Sequence, residues 1–334
     1  MPASAAERLL AHYDAHARIL PWRSPPGTPP PNPYIVWLSE VMLQQTTVAT
    51  VKPRFQRFIE RWPTVEALAA APDEEILGEW AGLGYYARAR NLIACAREVV
   101  HRGGFPRTEM ELRKLPGLGD YAAAAIAAIA FGQRGTVVDT NVARVVARYF
   151  GLEEPLDESR REIRKLAEAM TPADRPGDYA QAMMDLGATI CRPKHPECQE
   201  CPFAADCKAQ ASGVPERFPT RKARRERPRR HGLAWWIERD GAVWLVRRPA
   251  KGMLGGMAAL PGSEWCEEPP AIAPVAIIIH SFTHFTLDLH IAVGGNAGGE
   301  GWWQPLDRIG EAGLPTLYAK AVDVMLARRN ALAA

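Results

Sequence analysis

Residues 115–132 read LPGLGDYAAAAIAAIAFG, and the uncharged stretch from 122 to 131 constrains the fold more than any other part of the chain. Alanine in that proportion predicts a helix. A helix without a polar side has to be surrounded by protein, so the chain must build a shell of further elements around it. In front of the helix, Gly117 and Gly119 stand two residues apart and predict a tight turn, with Asp120 and Tyr121 at the helix mouth.

The neighbouring segments supply that shell. ERLLAHYDAHARIL, VWLSEVMLQQTTVATVKPRFQRFIERW, ARARNLIACAREVVHRGG and REIRKLAEAM repeat apolar residues at three and four, with Gly or Pro between segments. They share no fixed period, so a solenoid is not expected. Residues 217–230, RFPTRKARRERPRR, form a basic block whose one acid is Glu226, punctuated with Pro219 and Pro228 and preceded by Pro215. Such a segment cannot bury a core and predicts an extended linker, either a solvated tether or one that also tracks phosphates. Beyond it, GLAWWIERDGAVWLVRRP has two β-rich runs about Arg239, Asp240 and Gly241, a hairpin signal. VAIIIHSFTHFTLDLHIAV alternates like strands, and TLYAKAVDVMLARR predicts a closing helix.

The expected organisation is multidomain: an all-α domain over residues 1–211, a basic Pro-containing linker over 212–231 and a smaller α+β domain over 232–334. A length of 334 residues and a hydrophobic content of 47% suit about two globular domains. No apolar run reaches membrane-spanning length, and the opening MPASAAERLLAHYDAH lacks a secretory apolar stretch. An intracellular protein without a membrane partner is expected. The net charge of +3 is too small to name a partner by itself.

Six cysteines are present, and Cys191, Cys198, Cys201 and Cys207 cluster with the spacing C-x6-C-x2-C-x5-C. Cys95 and Cys266 stand apart and read as buried core or strand residues. Disulfides are disfavoured in an intracellular chain. Four thiolates suit a tetrahedral zinc ion or an iron–sulfur cluster, and spacing alone does not separate them. Arg192, Lys194 and Lys208 place positive charge around the thiolates.

Two carboxylates stand out. Glu40 lies in VWLSEVMLQQT, within an otherwise uncharged helix expected from 36 to 51. Among Trp37, Val41, Met42 and Leu43 its anion is disfavoured, so its pKa is expected to rise, which suits a proton donor at neutral pH. Gln44, Gln45 and Thr46 offer that face no charge partner. Asp139, in VVDTNVARVVARYFG, is expected as an N-cap, where the helix N-terminus favours its anion. One neutral and one charged carboxyl is the pairing of glycoside cleavage, the anion stabilising an oxocarbenium-like transition state. A solvent-facing glutamate and an ordinary cap are the plain alternatives.

The cysteine loop, just after AQAMMDLGATIC, resembles the [4Fe–4S] loop of the endonuclease III and MutY DNA glycosylases. Helix, L-P-G-x-G, helix is the helix-hairpin-helix pattern, in which glycines let backbone amides meet a DNA phosphate at a helix N-terminus. LPWR, WLSEVMLQQTTVATV, WAGLGYYARARNL, LPGLGDYAAAAI, VVDTNVARV and YAQAMMDLGATIC extend the likeness over nearly the whole chain, which resembles the MutY-type adenine-DNA glycosylases.

That resemblance implies an all-α helix-hairpin-helix glycosylase domain with a [4Fe–4S] cluster on Cys191, Cys198, Cys201 and Cys207, followed by a smaller α+β Nudix-like domain that recognises 8-oxoguanine. It implies a monofunctional DNA glycosylase of base excision repair. Such an enzyme hydrolyses the N-glycosidic bond of adenine opposite 8-oxoguanine or guanine in double-stranded DNA, as a monomer in a bacterial-type, nucleoid-associated cytoplasm or otherwise inside the cell. It assigns protonation of adenine N7 to Glu40 and stabilisation of the sugar cation to Asp139, in a D-T-N-V motif where Thr140 replaces the family's glycine. Asn141 becomes a hydrogen-bonding neighbour of the carboxylates, and Arg18, Trp22, Thr46 and Gln181 become pocket residues. Gln45 and Tyr85, the latter chosen over Tyr86 by its spacing from Glu40, fill the gap left by the flipped base. Gly117 and Gly119 grip phosphate.

Tyr121 takes the position at which endonuclease III-type relatives carry a Schiff-base lysine, so the resemblance implies hydrolysis without strand cleavage. A tyrosine there can line the base pocket and hydrogen-bond near Glu40. In the second domain no acidic R-E-x-x-E-E box follows KGMLGGMAALPG, so nucleotide hydrolysis is not expected. Phe282, Thr283 and His284 stand where the family has Phe-Ser-His. Phe282 would stack or intercalate, and Thr283 and His284 would hydrogen-bond around the oxidised purine. The rival readings are an endonuclease III-like pyrimidine glycosylase/lyase and a non-enzymatic iron–sulfur DNA-binding redox sensor, in which Glu40 and Asp139 are incidental.

Overall fold

The computed structural model describes residues 3–220, 227–249 and 252–333. In chain order its first helices are α1 (Ala5–His16), α2 (Pro33–Leu43), α3 (Val48–Arg61), α4 (Val65–Ala70), α5 (Asp73–Trp80), α6 (Ala87–His101) and α7 (Glu109–Leu112). There follow α8 (Asp120–Phe131), α9 (Thr140–Phe150), α10 (Arg160–Met170), α11 (Pro176–Thr189), α12 (Lys208–Ala211) and, at the end, α13 (Thr316–Ala333). The strands are β1 (Arg229–Trp236), β2 (Glu238–Arg239), β3 (Ala242–Arg247), β4 (Ala258–Ala259), β5 (Ala276–Ser281), β6 (Thr286–Val293) and β7 (Gly301–Pro305). The chain divides into two compact units, one of residues 1–70 and 91–223 and the other of 71–90 and 224–334.

The first unit is built around α8. Residues 122–130 are all buried, as an uncharged helix requires, and α2, α7 and α11 pack against it. The approach of α11 depends on Gly177, where a Cβ would lie 2.6 Å from the carbonyl oxygen of Ala128. Gly132 ends the helix in the left-handed region (φ 64°), and the Gly132 and Gln133 N–H groups donate back to Ala128 and Ala127 at 3.1 and 3.0 Å. A second cluster joins Leu9 and Tyr13 of α1 with Val145, Val146, Ile163, Met183 and Leu186.

The helix expected from 36 to 51 is two helices. α2 stops at Leu43 because Gln45 turns left-handed (φ 55°), and Thr47 starts α3 by accepting the Thr50 N–H at 3.3 Å. The linker also differs from the extended tether expected. The Phe218 carbonyl accepts from buried Arg148 Nε at 3.0 Å, and Thr220 N–H donates to the Glu153 carbonyl at 2.9 Å. A buried guanidinium needs such acceptors, so this start of the basic block is docked, while Arg229 and Arg230 already belong to β1. Residues 221–226 of the block and Lys251 of the glycine-rich loop lie outside the described residues.

In the second unit β1, β6 and β5 form one sheet in that order, and β2, β3 and β4 form another in which β7 also pairs β3. The expected hairpin is confined to β2 and β3, with Asp240 (φ 51°) and Gly241 (φ 74°) making a mirror-image turn. β1 instead runs parallel to β6, His231 opposite Asp288. Leu245, Leu287, Leu289 and Ile291 meet Leu317 and Tyr318 of α13 in the core. Segment 71–90, expected within the all-α domain, groups with this unit, where Arg90 Nη1 donates to the Gly255 carbonyl at 2.6 Å. Cys95 is buried as expected, whereas Cys266, which bridges to His231 through its backbone, is exposed. Among the described residues no helix is long and apolar enough to cross a membrane.

Candidate active site

A cavity of the first unit holds about 950 Å³ and gathers side chains from across the sequence. α2 contributes Glu40, the mouth of α8 contributes Tyr121, the start of α9 contributes Asp139, and α11 contributes Gln181 and Met184. Glu40 is held because Trp37 and Leu38, its neighbours on α2, are completely buried. Only 6% of Glu40 is exposed. Burial pushes its carboxyl up to about 7, against the hydrogen bond with Tyr121 and the charge of Arg23 that pull it down, and with the Asp139 charge adding to the rise. The Tyr121 hydroxyl also points at Met184 Sδ, 3.2 Å away.

Asp139 is the N-cap of α9. Its Oδ1 accepts the Val142 N–H at 2.6 Å, and its Oδ2 accepts from Asn141 Nδ2 at 3.1 Å. Burial still raises its carboxyl above the ordinary aspartate range, opposed by those donors and by Arg144. The stabilisation of the anion expected from the helix terminus is thus outweighed by desolvation. Thr140 is the first residue of α9 and is not among the described residues with left-handed backbone, so glycine is not required there.

Asn141 is itself braced. Its Oδ1 accepts from Arg144 Nη2 at 3.0 Å, and the same guanidinium donates to the Gly187 and Cys191 carbonyls at 2.6 and 2.9 Å. At Gly187 a Cβ would lie 2.7 Å from Asn141 Cβ and 3.1 Å from its backbone C and O. The clash involves backbone, which gives little. Gly187→Ala is therefore expected to cost about 1–3 kcal/mol in urea denaturation and to displace Asp139. A variant as stable as the wild type would show that this close approach is dispensable.

Arg18, Trp22, Gln45 and Thr46 line the same cavity. Trp22 is 5% exposed and meets the Phe55 ring edge-on at 5.2 Å, while Gln45 is exposed. Gln181 is buried, and its Nε2 donates weakly to the Gly177 carbonyl at 3.4 Å. Gly117 needs its glycine twice over: its φ is 76°, and a Cβ would lie 2.6 Å from Asn91 Cβ. Gly119 is extended, with nothing within 4 Å of a would-be Cβ, and no side chain caps α8.

Tyr85, Phe282, Thr283 and His284 belong to the second unit. Tyr85 is half exposed (50%) with φ 48°, and Tyr86 is buried. Thr283 and His284 are exposed in the tight link between β5 and β6, where the Phe282 N–H donates to the Phe285 carbonyl at 2.8 Å. The Phe282 ring packs on Trp265 and Phe285, with centroids 5.3 and 4.9 Å away. Sequence reasoning missed Arg23, Met184 and Asp185. Asp185 carried the signal that singled out Glu40: it is the lone acid in AQAMMDLGATIC.

Cys191, Cys198, Cys201 and Cys207 line a second cavity of the first unit. Among the described residues no group of three or more His, Cys, Asp or Glu side chains is set to hold a metal ion. The donor set nevertheless fits an anionic group. Arg148 Nη1 donates to Cys191 Sγ at 3.3 Å, the Phe203 N–H serves Cys201, and the Gln210 and Ala209 N–H groups serve Cys207. Burial pushes the Cys201 thiol up to about 12 and raises Cys198 and Cys207, so a cationic centre would favour their thiolates here.

Residues 38–172 match the family model of the HhH-GPD superfamily base excision DNA repair protein, and residues 233–324 match the NUDIX domain. The human adenine DNA glycosylase is 39% identical over 311 residues, covering 77% of this chain, which spans 57% of that protein's length. The adenine DNA glycosylase of Buchnera aphidicola subsp. Schizaphis graminum is 30% identical over 344 residues, covering 96% of this chain and 98% of its own. The chain belongs to the adenine DNA glycosylase family. A solved thermostable thymine-DNA glycosylase superposes on 62% of this family member with a TM-score of 0.55 and 30% identity, covering 95% of its own chain. Within this adenine DNA glycosylase family chain, the HhH-GPD match encloses Glu40, Tyr121, Asp139 and Asn141, and it ends before Gln181 and the four cysteines.

Proposed function

We propose that the chain is a monofunctional adenine-DNA glycosylase of base excision repair, acting on adenine opposite 8-oxoguanine or guanine. The reading is carried by one observation: a single cavity presents a buried carboxyl that is still half protonated near pH 7 beside a second carboxyl held by hydrogen-bond donors. Glu40 gives its proton to N7 of the flipped adenine. The C1′–N9 bond then breaks with its electron pair going to the base, and the sugar cation forms against Asp139. Water adds at C1′, its proton returns to the Glu40 carboxylate, and adenine and an abasic site are released. Tyr121 bears a hydroxyl and no amine, so no imine to the sugar forms and the strand stays whole.

The uncapped N-terminus of α8 and the open side of Gly119 suit a DNA phosphate. Thr283 and His284, exposed between β5 and β6, suit hydrogen bonding to the base opposite the adenine. Gln45 and Tyr85, both exposed and left-handed, suit filling the gap in the stack. The four cysteines would hold a [4Fe–4S] cluster with Arg148 balancing its charge; when bound, it supplies iron–thiolate bonds that lock the 191–207 loop. All residues assigned to base removal come from one chain, so a monomer suffices, working in the compartment that holds the genome.

The test is incubation with duplexes carrying A opposite 8-oxoguanine, A opposite G, and an oxidised pyrimidine, each read with and without alkali. Breakage of the adenine strand only after alkali, from a coloured preparation that contains iron rather than zinc, is expected. Breakage without alkali or release of the pyrimidine would favour the lyase, and no base release would favour a non-enzymatic DNA sensor.

A further inference from the structure

Asp185 is a buried acid that the proposed chemistry leaves without a task. It lies on α11 beside Met184 and is 7% exposed. Its Oδ1 accepts from Arg18 Nε at 2.6 Å, and its Oδ2 accepts from Arg23 Nη1 at 2.7 Å and from the Arg18 backbone N–H at 3.2 Å. The Arg23 side chain is itself only 7% exposed. Two guanidiniums therefore enter the cavity wall, and one carboxylate holds both.

The surroundings of Glu40 explain why this matters. From the segment before α2 comes Arg23, from α8 Tyr121, from the start of α9 Asp139, and from α11 Asp185 behind Arg23. Tyr34 is the other titratable residue of α2, and its hydroxyl donates to the Trp62 carbonyl. α3 offers this wall Val48, which carries no charge. Further around the cavity, Asp120 pairs with Arg113 at 2.5 Å, Asp157 pairs with Arg160 at 2.9 Å, and Arg164 reaches Glu109 at 3.5 Å. Arg144 is spent on carbonyls and Asn141. Arg23 is thus the cation acting on Glu40, and Asp185 is the group that binds it.

We propose that Asp185 is a positioning residue that keeps Glu40 protonated, by holding the Arg18 and Arg23 guanidiniums so that neither forms an ion pair with the Glu40 carboxyl. A guanidinium in a poorly solvated cavity strongly favours any carboxylate it reaches. With Asp185 neutral, Arg23 faces the Tyr13 hydroxyl of α1, whose proton burial holds up to about 12, and the Glu40 carboxyl, which is the one of the two that can ionise near neutral pH. The inference rests on the glycosylase reading for its consequence, and on the Asp185–Arg23 geometry alone for its electrostatics.

The experiment pairs single-turnover adenine excision between pH 5 and 9 with carbon-13 NMR titration of the glutamate carboxyls in the full chain. The Glu40 signal is assigned by its loss in Glu40→Gln. In Asp185→Asn the Glu40 titration and the alkaline limb of the rate are expected to move down together by about one pH unit, making excision at pH 8 roughly tenfold slower. Excision near pH 5.5 should stay within about threefold of wild type. Asp185→Glu should restore the limb, and Arg23→Met should move it upward, because the positive charge that favours the Glu40 anion is then gone while Arg18 still holds Asp185. A uniform fall at every pH with an unshifted Glu40 titration would mean that Asp185 is only structural, and would overturn the proposal. Should Asp185→Asn fail to fold, an unshifted or lowered Glu40 titration in Arg23→Met overturns it equally. Absence of adenine release by the wild type would sink the glycosylase reading, while the NMR titration would still decide this one.

Discussion

Glu40→Gln is expected to slow adenine excision at pH 7 by about 10³-fold, the scale of a lost general acid, and to make the protein more stable at alkaline pH. The two effects have one cause. The Glu40 carboxyl holds its proton up to about 7, against an ordinary value of 4.5, because it is buried. The folded state therefore keeps a proton that the unfolded chain releases, and this stabilisation is complete below about pH 4.5. It is lost as the pH rises through about 7, at a cost of ~3 kcal/mol once Glu40 is ionised. Glutamine fills the same volume without the penalty. Urea denaturation at pH 5 should find variant and wild type alike, and at pH 8.5 the variant should be the more stable. Excision by the variant within tenfold of wild type would remove Glu40 from the chemistry, and an identical pH dependence of stability would mean that the carboxyl is not desolvated.

Asp139→Asn is expected to lower excision by about 10²–10³-fold with little change in folding stability. Asparagine caps helices about as well as aspartate, so the bond from Val142 N–H to the side-chain oxygen can persist. What disappears is the negative charge facing the sugar, together with one acceptor for Asn141 Nδ2. Binding to a duplex with A opposite 8-oxoguanine should remain within a few-fold, because the ground-state sugar carries no charge for Asp139 to meet. Stability held with activity lost separates the two functions of this residue; activity held would leave Asp139 as a cap alone. In the proposed mechanism the raised carboxyl is also expected to set the acid limb of the wild-type rate. As the pH falls through the Asp139 value, which lies above the ordinary aspartate range, the anion is consumed and the rate drops.

Much of this site was legible because its signals are local. Burial of α8 followed from the absence of any polar side, and the Asp139 cap from an acid placed one residue before a helical pattern. The elevated Glu40 carboxyl followed from a lone acid among apolar neighbours. Where local signals compete, the sequence misled. WLSEVMLQQTTVATV contains no Gly or Pro to stop a helix, yet Thr47 caps a second helix and Gln45 takes a left-handed turn. For Asp139, the cap argues for the anion and burial argues against it, and only the folded surroundings show that burial prevails.

By itself the sequence determined the buried strut, the turn in front of it, the identity of the two carboxyls and the spacing of the four cysteines. Transfer of apolar side chains, helix capping and ligand spacing all act within a few residues along the chain. The tertiary structure alone decided which charge meets which. Arg23 finds Asp185 across 162 positions, and that pairing depends on which faces of α11 and the segment before α2 come together. Coulomb interactions in a buried cavity are set by distances between side chains, and those distances exist only once the helices have packed.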